Sequence, residues 1–137
     1  MNKQIAYILI VENEERFAIL FERAFHEEGF ITKTIYSTAG LEGIYRDMPE
    51  KPAIMIVDAF GFGKGKLETA KTLAREFPSA SLVIISSLTS INDYMLSYSI
   101  GAKRFLHKSS DITELLGVVR EIYGSSTTNL ESFVGAD

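Results

Sequence analysis

The chain has 137 residues, 46% of them hydrophobic, with a formal net charge of -4 and no cysteine; that is enough chain for one globular domain with a three-layer core, and not for a second. Disulfides and thiolate metal sites are excluded, and the acidic balance supplies no basic stripe, so direct nucleic-acid binding is not expected. The longest apolar runs are about seven residues against the ~20 of a membrane span, and MNKQIAYILIVEN turns acidic too soon for a signal peptide, so a cytoplasmic protein without membrane contact is expected.

Ile5 to Val11 is almost wholly apolar, as a strand buried on both faces of a parallel sheet should be. Asn13 can cap the helix that follows, in which Phe17, Leu20, Phe21, Ala24 and Phe25 form one apolar face and Gly29 suits a left-handed C-terminal cap. Ile31 to Tyr36 alternates as an edge strand does, and Ser37 or Thr38 can cap a helix to about Met48, closed by Pro49 and Pro52. Ala53 to Val57 is the next buried strand, Leu67 to Phe77 is helical, and Leu82 to Ile85 is another apolar run after Pro78. Thr89 to Ile100 is a helix ended by Gly101, Arg104 to Leu106 a short strand, and Ile112, Leu115, Leu116, Val119 and Ile122 the stripe of a final helix. The domain spans 1–123, followed by a polar, frayed tail over 124–137. Strict alternation with right-handed crossovers implies an α/β fold, a doubly wound five-stranded parallel sheet of flavodoxin-like (βα)5 type, with strand order 2-1-3-4-5.

Four of the apolar runs stop on a polar residue: Glu12 and Asn13 after IAYILIV, Asp58 after AIMIV, Ser86 after LVII, and Lys108 after KRFLH. Ligands of open parallel sheets bind beyond the carboxyl ends of the strands, so these acids, the hydroxyl and the lysine should meet. The glycine-rich GFGKGK fits neither the P-loop spacing nor G-x-G-x-x-G after the first strand, and an acidic ENEE loop would repel a flavin phosphate.

Over residues 3 to 122 these blocks resemble the receiver domains of two-component response regulators: ILIVEN the acid pair, AIMIVD the phospho-accepting aspartate, LVIISS the hydroxyl position, GAKRFLHK the aromatic and lysine block. The resemblance implies that Asp58 accepts a phosphoryl group from a sensor histidine kinase or a phosphotransfer protein. It makes Ser86 and Phe105 a switch pair and Lys108 the charge-balancing lysine. Glu12, Asn13, Asp58 and the backbone carbonyl of Phe60 become the surroundings of Mg²⁺, a hard cation that takes oxygen ligands. Such a domain is no enzyme, since it assists only its own phosphoryl transfer. A single-domain regulator is expected unless the chain is part of a longer one, with output to a target protein or a second copy through the helix from Thr89 to Ile100, the last strand and the final helix. Ile91, Tyr94, Met95, Leu96 and Tyr98 give that first helix more apolar surface than one core face needs.

The pattern has departures. Asn13 stands where an acid is usual, so Mg²⁺ is expected to bind weakly. Ser109 replaces the proline that usually follows the lysine and is a candidate cap for the final helix. Apolar Phe60 and Leu88 suggest slow hydrolysis of a phosphoaspartate. The alternative reading is a pseudo-receiver, a binding module of the same fold whose contacts do not depend on phosphate. Asp58 as a turn residue, Ser86 bonded locally to backbone, and Phe105 as a plain core aromatic are the corresponding structural accounts of single residues.

Overall fold

The computed structural model describes residues 7–36, 50–59, 67–87, 90–109 and 111–134, with side chains to residue 124. Five strands, β1 (Tyr7–Val11), β2 (Ile31–Ile35), β3 (Ile54–Asp58), β4 (Ser81–Ser86) and β5 (Ala102–His107), form one sheet in the order β2-β1-β3-β4-β5. Every pairing is parallel. The described helices are α1 (Glu15–Glu27), α2 (Glu68–Glu76), α3 (Ile91–Ser99) and α4 (Thr113–Val134). The helix expected from Ser37 or Thr38 to Met48 lies outside the described residues.

The period of two along each strand sends alternate residues to opposite faces, and this explains the unbroken apolar runs. Leu9, Val11, Met55, Val57 and Ile84 pack on one face with Leu67, Ala70, Leu73 and Phe77 of the α2 region. Ile8, Ile10, Ile56, Val83 and Ile85 pack on the other with Phe21 and Phe25 of α1 and Leu115 and Val119 of α4. Strands β1 and β3 are buried throughout, whereas β2, at the edge, alternates in exposure and buries only Ile35 fully.

Helix ends follow local chemistry, with two corrections to the expected caps. Asn13 does not cap α1: the cap position is Glu14, in extended conformation and with no side-chain capping bond. Ser109 does not cap α4 directly. Its hydroxyl accepts from the Asp111 N–H at 3.0 Å, and the Asp111 carboxylate accepts from the Thr113 N–H at 3.0 Å; the Thr113 side chain first, and this N–H after it, hold that carboxyl below its ordinary range. At α3, the Ser90 hydroxyl accepts from the Asp93 N–H at 3.1 Å. Gly29 and Gly101 close α1 and α3 at φ 90° and 99°, in the region that favours glycine. Three elements are longer than expected: β4 runs over Ser81–Ser86, β5 runs over Ala102–His107, and α4 continues to Val134 where a polar tail was expected from 124. Among the described residues no helix is long and apolar enough to cross a membrane.

Candidate functional site

The carboxyl ends of β1, β3, β4 and β5 lie side by side, so the residues on which the strands stop are brought together. Glu12 follows β1 directly, with its N–H donating to the Ile35 carbonyl at 3.1 Å and its side chain fully buried. Asp58 ends β3 and is buried opposite Ile85 of β4. Ser86, which ends β4, is also buried, and its carbonyl accepts the Lys108 N–H at 2.7 Å. That bond continues the ladder one residue beyond β5 and fixes the backbone from which Lys108 projects.

The Lys108 ammonium is the hub. Its Nζ donates to Asp58 Oδ2 at 2.8 Å, to both Glu12 oxygens at 3.2 Å and to Glu14 Oε1 at 2.5 Å. It also sits 4.7 Å from the Phe17 ring centroid, over an aromatic face that stabilises a cation. The Lys108 side chain is 2% exposed, and the Glu12 and Asp58 side chains 0% and 4%, so these ion pairs lie in a poorly solvated setting where each charge depends on its partners. Burial pushes the Glu12 carboxyl up to about 7, with the Asp58 charge adding; the Glu14 N–H and Lys108 oppose this without overcoming it. The Lys108 pKa is raised as well, which for an ammonium favours the charged form. Burial alone would lower its pKa, but hydrogen bonds donated to Asp58 and Glu14 and the charges of Asp58 and Glu12 outweigh burial and raise it, so it is a fixed cation.

Among the expected site residues, Glu12, Asp58 and Lys108 are in mutual contact, and Ser86 is joined to Lys108 through backbone. Asn13 is exposed and carries no charge to the cluster. Phe105 lies on β5 facing α3, its ring centroid 6.4 Å from that of Tyr94, and the two line a groove with Ser90 and Ile91. Phe60 and Leu88 lie outside the described residues. The Lys108–Ser109 peptide is trans, as is every described peptide bond.

Glu14 was not singled out from the sequence, yet it belongs to the cluster: oxygens of Glu12, Glu14 and Asp58 all lie within 4.8 Å of one another. The signal was present in the run ENEE. The chain bends at Asn13, which lets 12 and 14 converge while 13 stays exposed. The Glu14 N–H donates to Glu12 Oε2 at 2.9 Å and tightens that turn. Three hard carboxylate oxygens fit Mg²⁺ or Ca²⁺ and suit soft metals poorly.

No protein-family model matches the chain. It is 25% identical over 134 residues to the uncharacterised transcriptional regulatory protein YkoG of Bacillus subtilis, covering 96% of this chain. It is 26% identical over 108 residues, or 79% of this chain, to the photosynthetic apparatus regulatory protein RegA of Cereibacter sphaeroides. The chain spans 58% of the length of each of these relatives. Among solved structures, a CheY-like response regulator receiver domain protein of Methanospirillum hungatei superposes with a TM-score of 0.74 at 17% identity, covering 85% of this chain and 92% of that one. The Thermotoga maritima response regulator TrrA, solved with Mg²⁺-BeF, superposes with a TM-score of 0.70 at 21% identity, covering 85% and 98%. With five parallel strands in the order 2-1-3-4-5 and an acid, aspartate and lysine cluster at their carboxyl ends, the chain has the fold of a response regulator receiver domain.

Proposed function

We propose that the chain is a phosphoacceptor signalling domain in which Asp58 receives a phosphoryl group from the phosphohistidine of a sensor kinase or phosphotransfer protein. The observation that carries this is the buried Asp58–Lys108 pair at 2.8 Å, set beside two further carboxylates at the open end of the sheet. An Asp58 carboxylate oxygen attacks phosphorus, the P–N bond to the donor imidazole breaks, and the imidazole leaves with that electron pair. Glu12, Asp58 and the Phe60 carbonyl are the residues that would hold Mg²⁺, and Asn13 fills the usual acid position without its charge. Bound there, the metal would supply positive charge to offset that of the transferring group. Lys108 supplies a second, fixed positive charge, and its ion pair with Asp58 can pass to a phosphoryl oxygen. The Ser86 hydroxyl, at the end of β4, would donate to another.

Output is proposed through α3, β5 and α4, toward a target protein or a second copy. A phosphoryl group that draws Ser86 inward alters the packing beside Phe105, and Phe105 touches Tyr94 of α3. Ile91, Tyr94 and Met95 are exposed there, Ile91 at 77%. Asn13 favours a second reading, the phosphate-independent pseudo-receiver. The two are separated by adding beryllofluoride, a phosphoryl mimic, with Mg²⁺ to the ¹⁵N-labelled chain. The receiver reading expects amide shift changes at Ser86 and Lys108 that extend to Tyr94, all lost in Asp58→Ala. An unchanged spectrum sinks it in favour of the pseudo-receiver.

A further inference from the structure

Receiver chemistry requires an acid beside Glu12, and position 13 holds a neutral, exposed asparagine. The charge is nonetheless present. The Glu14 carboxylate stands within 4.8 Å of those of Glu12 and Asp58, and it reaches the site from the other end of a two-residue step. A cation already resides among the three: the Lys108 ammonium touches Glu14 at 2.5 Å, Asp58 at 2.8 Å and Glu12 at 3.2 Å. Three carboxylates against one ammonium leave the cluster formally short of positive charge, the condition under which a divalent cation is gained.

Resting on the receiver reading, we propose that Glu14 is the second acid of the divalent-cation site, displaced by one residue from its usual place, and that Asn13 is a solvent-facing spacer between the two acids. Glu14 is suited to the exchange this implies. Its side chain is 48% exposed, so releasing Lys108 to take up a metal does not strand a buried charge. Its longer side chain, relative to aspartate, covers the extra distance from position 14. Its cap position on α1 makes no side-chain capping bond, so nothing in the helix start depends on that carboxylate. Glu14 is a metal-positioning residue here, and a structural tether for Lys108 in the metal-free chain.

The two roles give opposite results in an NMR-monitored Mg²⁺ titration of the unchanged chain, Glu14→Gln, and Glu14→Gln combined with Asn13→Asp, with thermal melts to establish that each variant folds. A metal-holding Glu14 predicts that Glu14→Gln weakens Mg²⁺ about tenfold or more, and that the added aspartate at 13 recovers most of the loss. If Glu14 only tethers Lys108, its removal frees the cluster and Mg²⁺ binds equally well or better, which overturns the proposal. Glu12→Gln separates this from failure of the receiver reading. Should Glu12→Gln weaken Mg²⁺ while Glu14→Gln does not, the inference about Glu14 alone is wrong. Should the unchanged chain take up no Mg²⁺, both are wrong.

Discussion

At the scale of single residues, the site is an arrangement in which three carboxylates compete for one ammonium. Lys108 cannot fully satisfy Glu12, Glu14 and Asp58 together, and the most buried of the three, Glu12, bears the consequence. Its carboxyl, ordinarily near 4.5, is pushed up to about 7 by burial first and by Asp58 after it. Between those two values the folded chain holds a proton that the unfolded chain has released. Stability from this group is therefore complete below about pH 4.5 and is lost as pH rises through about 7. Urea unfolding in EDTA should give a lower midpoint at pH 7.5 than at pH 5.5, and Glu12→Gln, which cannot titrate, should flatten that difference. A midpoint that rises with pH equally in both chains would show that burial does not govern Glu12. The same residues mark the limit of what could be seen in the sequence. Glu12, Asp58 and Lys108 were visible because each ends an apolar run, and strand ends converge in any parallel sheet. Glu14 was not, because its contact with Lys108 spans 94 residues and depends on how one loop turns.

At the scale of elements, the strands were legible because burial on both sheet faces leaves an apolar run that no surface element imitates, and β1 and β3 differ from expectation only at their edges. Helix ends were less so. Position 13 looked like a cap by residue type, but a cap also needs its oxygen turned toward the first free N–H groups, and the α1 cap position falls one residue later. The continuation of α4 through SSTTN was illegible for a different reason: serine, threonine and asparagine are weak helix formers, so composition argued for a tail. Gly29 and Gly101 were legible as stops because the left-handed conformation they adopt strains any residue with a β-carbon. A β-carbon at Gly29 would meet nothing within 4 Å, so Gly29→Ala isolates the backbone term. It should cost about 1–2 kcal/mol in denaturant unfolding, with no effect on Mg²⁺ affinity. A cost near zero would mean that α1 can end without that conformation.

At the scale of the whole molecule, the sheet order places the chemistry and the exposed face on adjoining strands. Asp58 ends β3, Ser86 ends β4 beside it, and β5 carries Phe105 within it, against Tyr94, and leads directly into Lys108. On the proposed reading, a change at Asp58 would reach α3 by a short route, through one strand end and one aromatic contact. Strand order was deducible because five βα units with right-handed crossovers leave few alternatives. The chemical state of the site was not, since charge and geometry at the strand ends arise only once the loops are placed. The account depends above all on Asp58 accepting a phosphoryl group with Asn13 in the acid-pair position. The measurement to make is the intact mass of the chain after incubation with acetyl phosphate and Mg²⁺, beside Asp58→Ala treated alike. A gain of about 80 Da, one phosphoryl group, that is lost in Asp58→Ala is the predicted result. A gain that persists in Asp58→Ala, or none in the unchanged chain at saturating Mg²⁺, would contradict it.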